Sequence, residues 1–239
     1  MIIGPFIDAA SVLVGGSVGA ALGTRIRASL RETMMIVFGV PSMAMGVIYI
    51  VKTASLPAVV LSTILGVIIG ELIFLEKGIG IAGQKVNQMM TRLIPSSAHA
   101  GLSDDEFLNK FVAILVLFCA SGTGIFGAMN EGMTGDASVL IAKSILDLFT
   151  ALIFATTLGY ATATIAVPQL IILVALAFAG VYIVPMTTPT MRADFTAVGG
   201  VLMLANGFRI AGIKSFPVAD MIPAMVLAMP ISALWTHLV

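Results

Sequence analysis

Apolar residues run along this chain in long blocks, and charged or Pro/Gly-rich breaks divide the blocks into eight windows, approximately 8–24, 33–51, 57–75, 111–130, 137–158, 167–185, 195–213 and 218–237. Each approaches the roughly 20 residues that an α-helix needs to cross the hydrocarbon core of a bilayer. The pattern predicts an all-α fold, a polytopic transmembrane helix bundle of about eight spans with seven as the rival count, in which 1–239 is a single integral membrane domain. Of the connections, only 76–110 is long enough to fold outside the bilayer. There Ile79, Ala82, Val86, Met89, Met90 and Leu93 recur at helical spacing among Gln84, Lys85, Asn87, Gln88 and Arg92, which reads as an amphipathic helix lying on the cytoplasmic surface. It ends near Pro95. A polar turn containing His99 follows, and Ser103 with Glu106 resembles a capping box opening the next helix.

Composition settles the solvent. With 59% hydrophobic residues, 10% charged residues and a mean hydropathy of +1.11, too few polar groups are present to coat a soluble particle. Zero net charge removes the basic surface a nucleic-acid binder needs. The single cysteine, Cys119, lies in an apolar run and reads as an inert thiol. No Lys or Arg precedes the first apolar stretch, so the start does not read as a cleavable signal peptide.

Lys and Arg are enriched in cytoplasmic loops. Placing both termini outside puts Arg25, Arg27, Arg31, Lys77, Lys85, Arg92, Lys110, Arg209 and Lys214 on the cytoplasmic edges, with only Lys52 and Arg192 opposite and Lys143 inside a span. Tyr49, Tyr160, Tyr182 and Trp235 all fall near span ends, as an interfacial aromatic belt requires.

The chain also repeats itself. At an offset of 184, Pro5–Ile26 aligns with Pro189–Ile210 without a gap, and nine of 22 positions are identical, among them Gly15/Gly199, Gly16/Gly200, Gly23/Gly207 and Arg25/Arg209. These glycines are expected to be packing positions, and the pair to be a parallel repeat. Repeat-built membrane folds often place a transport site at the repeat interface.

Candidate chemistry concentrates in two places. The segment "CASGTGIFGAMNEGMTGD" (119–136) sets Ser121, Thr123, Asn130 and Glu131 among glycines. It reads either as an interrupted helix whose freed polar groups replace part of a solute's hydration shell, or as close helix packing followed by an ordinary outer loop. Its GxGxxG match has no preceding strand and is discarded. Charges inside spans are expensive, and Lys143 and Asp147, four apart, share a helical face where they can neutralise each other or border a water-filled path. Glu71, which either lies deep in the third span or reaches the cytoplasmic interface near Glu76, and Asn206 in the seventh complete the set of pathway candidates. No hydrolase motif is present. His99 and His237 lack ligand-spaced partners, so neither an enzyme nor a metal or cofactor site is expected.

"GPFIDAASVLVGG" (4–16), "LFCASGTGIFGAMNEGMTGD" (117–136), "ADFTAVGG" (193–200) and "GIKSFP" (212–217) resemble the bacterial YqgA/YdfK-type family of inner-membrane proteins, long labelled a domain of unknown function. The likeness covers essentially the whole chain, and the second string is its most specific part. It implies a polytopic inner-membrane protein of a kind often called a transporter, and it supplies no substrate or site residues. The leading expectation is a passive or ion-coupled transporter or channel for an ion or small polar solute, embedded in the bilayer, with glycine faces suited to a homo-oligomer. The alternative is a non-transporting oligomeric scaffold or sensor that recruits a partner through 76–110.

Overall fold

The structure is a computed structural model that describes residues 1–25, 28–81, 85 and 104–238. Among them there is no strand. The helices are α1 (Gly4–Leu22), α2 (Ala28–Ile50), α3 (Leu56–Leu72), α4 (Leu75–Ile81), α5 (Asp104–Cys119), α6 (Gly122–Thr134), α7 (Ser138–Leu158), α8 (Ala161–Thr164), α9 (Ala166–Ile183), α10 (Pro189–Ile210) and α11 (Ile222–Leu238). The all-α bundle is as expected, and every apolar window is helical.

Among the described residues the span count is lower than eight. Four segments there are long and apolar enough to cross a membrane: Gly4–Leu22, Lys110–Thr134, Ser138–Leu158 and Ala161–Met186. A fifth arises if α3 and α4, bent by 50° at their junction, are taken as one. Among the other three windows, α2 is apolar only over Ile36–Ile50 and α11 has 17 residues. Helix α10 carries Arg192, Asp194 and Arg209, which lower its hydropathy. The connection 76–110 is also shorter than expected, because α4 extends to Ile81 and α5 begins at Asp104. The expected surface helix over 79–94, His99 and the Ser103 cap fall largely outside the described residues.

The helices form two packed sets. In the first, α1 packs on α6, α7, α8 and α9; in the second, α10 packs on α2, α3, α6 and α11. The two copies of the internal repeat are therefore equivalent in role, each being the helix on which its own set is assembled. The sets meet where α6 touches α10 and α2 touches α7. Outward-facing positions such as Ile64 and Ile68 on α3, Val40 and Val47 on α2 and Val167 and Ile171 on α9 are exposed and apolar, as a lipid-facing belt requires. Tyr160 and Tyr182 are exposed near helix ends. Tyr49 departs from the belt: it is buried against Phe126, with ring centroids 5.1 Å apart at an edge-on angle of 67°.

Small residues set the helix spacing. A Cβ added at Gly15 or Gly19 of α1 would collide with the backbone carbonyls of Leu148 and Leu152 on α7, so that contact is backbone against backbone. Gly16 meets Ala163, Gly199 meets Phe126, and Gly200 and Gly207 meet the backbone of α2. Gly23 is the exception to the expected packing role. Nothing lies within 4 Å of its Cβ position, and its φ of +54 marks it as the residue that ends α1. Replacing Gly15 with Val should therefore force α1 and α7 apart and cost about 1–3 kcal/mol, read as a lowered melting temperature in detergent, whereas Gly199→Val meets a side chain that can turn and should cost less.

Candidate functional site

Three buried carboxylates act as caps for helices other than their own. Glu131 of α6, 1% exposed, accepts from the amides of Ile3 (2.7 Å) and Gly4 (3.0 Å) at the start of α1. Asp194 of α10 accepts from the amides of Ala54 (2.9 Å) and Ser55 (2.7 Å) before α3 and from the Ser232 hydroxyl (2.6 Å). Asp220 accepts from the Glu76 amide in α4 (2.8 Å), and Glu76 pairs with Arg209 at 2.8 Å. The first N–H groups of a helix have no internal partner, and a carboxylate there satisfies them and complements the helix dipole. Glu131→Ala is expected to destabilise the fold by about 1–3 kcal/mol, measured by thermal melting, because it takes the acceptor from the buried Gly4 amide and the part-buried Ile3 amide.

A fourth cluster has no capping role. Lys143 of α7 donates to Asp8 Oδ2 of α1 at 2.9 Å and to Asp147 Oδ2 one turn along its own helix. The Gln169 amide of α9 donates to the same two oxygens, at 2.8 Å to Asp8 and 2.9 Å to Asp147. All four residues are at most 8% exposed. Two acceptor atoms, Asp8 Oδ1 and Gln169 Oε1, are buried without a hydrogen-bond partner. The Lys143 ammonium also lies 6.0 Å from the Phe118 ring centroid.

The break in the Lys110–Thr134 segment falls beside this cluster. Helix α5 stops at Cys119, and Ser121 caps α6 by accepting from the Gly124 amide at 3.1 Å. Gly124 lies against the Lys143 stem, where a Cβ would stand 3.1 Å from Cε. The helix is thus interrupted as expected, and the close-packing alternative also describes the segment, with Gly132 against the Ala177 backbone and Gly122 against Leu202. Its outer-loop alternative fails for Asn130 and Glu131, which lie within α6. Asp136 does sit in the turn before α7, where the Ser138 amide (2.9 Å) holds its carboxyl below the usual range.

Two hollows meet at the break. A small cavity of about 30 Å³ is bordered by Lys143, Asp147, Thr123, Thr150, Ser42 and Phe38, together with Leu117, Ser121, Asn206 and Ile210. A larger one of about 400 Å³ shares those last four residues and extends to Lys110 of α5 and Arg209 of α10. The walls come from α5, α7 and α10, so the hollow lies between the two repeat-centred sets of helices. A third hollow, about 440 Å³, lies at the opposite end of α1 beside Met1, Phe6 and Glu131.

The sequence-derived candidates are therefore partly brought together. Lys143, Asp147, Ser121, Thr123 and Asn206 border the small cavity, and Ser121 and Asn206 also border the larger hollow beside it. Asn130 is buried near the far end of α6, its amide 3.4 Å from the Asp136 carbonyl, and Glu131 is engaged as a cap. Glu71 is exposed at the end of α3 and does not reach the cluster.

Both the helical fold and this arrangement belong to a chain that matches, over residues 3–233, the family described as "Protein of unknown function (DUF554)". The chain belongs to this family. It is 55% identical over 236 residues to "Uncharacterized protein YqgA" of Escherichia coli (strain K12), covering 99% of this chain and 98% of that one. It is 24% identical over 236 residues to "Uncharacterized membrane protein YdfK" of Bacillus subtilis (strain 168), covering 94% and 93% of the two chains. No solved structure matches. The resemblance noted in the sequence is thus a family relationship over nearly the whole chain, and a family member is described as a membrane protein.

Two members of the cluster escaped the sequence reading. Asp8 is a charge in an otherwise apolar run from Phe6 to Leu22, and that position is the signal that marks it. Gln169 is the lone amide in the apolar block 165–183, a signal of the same kind but weaker.

Proposed function

We propose that this chain is a transporter or channel for an ion or small polar solute, operating passively or with a coupling ion and catalysing no reaction. The observation that carries the reading is a pair of adjacent hollows between the two sets of helices, the larger bordered by Lys110 and Arg209, the smaller by the buried Lys143–Asp147 pair, with Ser121 and Asn206 lining both. Ionisable groups inside a membrane bundle that border water-accessible space mark solute and ion paths, and interrupted helices supply polar groups there at tolerable cost. In this reading the helix bundle lies in the bacterial inner membrane with both termini outside. The larger hollow then opens to the cytoplasm, where Lys110 and Arg209 stand.

The test is flux through purified protein in liposomes, using a panel of monovalent cations, protons and small anions. Rates above those of empty vesicles are expected for at least one, and Asp147→Asn should change them by about tenfold or more. Rates equal to empty vesicles across the panel would overturn the reading. Unchanged flux in the variant would remove Asp147 from the path.

A further inference from the structure

We propose that Asp8, Lys143, Asp147 and Gln169 form a proton site, holding about one exchangeable proton that passes between the two carboxylates, and that this proton is the coupling ion of transport. The second half rests on the transport reading above; the first half does not.

Charge balance supports it first. Two carboxylates face one ammonium, and all three groups are buried. No other cation is at hand among the described elements packed around Asp8. Helices α8 and α9 carry no Asp, Glu, Lys or Arg. From α6 come Ser121, Thr123 and, one turn beyond Asp8, Glu131, which is already occupied by two amides. From α5 come Phe118 and the Cys119 thiol, and from α2 and α10 the neutral Ser42 and Asn206. Fully ionised, the cluster would hold an uncompensated negative charge out of water, which is costly. One proton removes it.

Hydrogen-bond balance agrees. The Lys143 and Gln169 donors both converge on the Oδ2 atoms of the two aspartates, while Asp8 Oδ1 and Gln169 Oε1 are buried acceptors with nothing to accept. Buried acceptors are rarely left without a donor. A proton on Asp8 supplies the hydrogen that this cluster lacks, and protonated carboxyls donate.

Access gives the direction. Asp147 borders the small cavity, whereas Asp8 is fully buried behind it. A hydronium ion in the cavity gives its proton to the Asp147 carboxylate and leaves as water. The O–H bond then breaks at Asp147 as one forms at Asp8, with Lys143 and Gln169 bound to both oxygens throughout, so the charge of the cluster does not change during the transfer. At the far end of α1, Glu131 holds the Ile3 and Gly4 amides beside the third hollow, whose lining does not include Asp8.

The experiment uses the full-length protein in lipid nanodiscs without any solute, followed by infrared difference spectroscopy between about pH 5 and pH 9. The wild type is expected to show a protonated-carboxyl signal that titrates in this range. Asp8→Asn and Asp147→Asn should each abolish it, because either change leaves one carboxylate matched to one ammonium. A wild type without such a signal, or one that survives in both variants, overturns the proton site. Gln169→Leu keeps both carboxylates and the charge count, so it serves if an Asn variant fails to fold; a shifted midpoint is expected, and an unshifted one contradicts the proposal. A titrating cluster with no flux in liposomes overturns only the transport reading. Flux that is indifferent to pH and unaccompanied by titration overturns only the proton site.

Discussion

Replacing Lys143 with Met will destabilise the protein by about 3–5 kcal/mol, the cost of leaving buried charge without its partner. The size follows from the arrangement: one ammonium neutralises groups from two helices, Asp8 on α1 and Asp147 on α7, and no neighbouring cation can replace it. Truncation therefore does more than remove a surface ion pair, which is worth about 0–1 kcal/mol. The loss should be largely recovered in the triple variant Lys143→Met, Asp8→Asn, Asp147→Asn, which carries no charge in the cluster. Thermal melts in detergent distinguish these outcomes. A single variant as stable as the wild type would mean that the three groups do not form one ionic cluster.

Asn206→Trp will reduce flux to the empty-vesicle rate. Asn206 borders both hollows, together with Leu117, Ser121 and Ile210, and in the transport reading these four residues are the neck between them. An indole there fills the space through which a solute must pass to reach Lys143. The change should affect passage far more than folding, because the neck adjoins empty volume rather than packed core. Val226→Trp, on the exposed face of α11, should leave flux as it was. A plugged variant that still conducts at the wild-type rate would place the route elsewhere.

Much of this architecture was legible in residue order alone. Long apolar blocks give helices whatever their neighbours, and Lys143 and Asp147 could be assigned to one face because i and i+4 positions always share one. The repeat also carried real content, since Pro5–Ile26 and Pro189–Ile210 became the two helices on which the sets are built. What the order of residues could not supply was which helices meet. Asp8 and Gln169 lie 135 and 26 residues from Lys143, and nothing local couples them to it. The same gap explains Glu131, whose partners are the backbone amides of Ile3 and Gly4. Glu71 misled in the opposite sense: depth in an apolar window does not decide whether a side chain turns inward, and this one turns out. Equivalent repeat positions differ for a related reason. Gly207 packs on α2, while Gly23 faces open space and turns the chain.

Water access to the neck is the point on which the pathway depends most directly. In a Cys119→Ala background, Ser121→Cys and Asn206→Cys should be modified by a small membrane-impermeant thiol reagent supplied from the side of Lys110 and Arg209. Ala177→Cys, in the closed core of α9, should not react. Labelling at both neck positions, with none at 177, is the expected result. If neither neck position reacts under conditions that label an exposed control such as Lys214→Cys, in the turn after α10, the hollow is dry and the proposed path to Lys143 is contradicted.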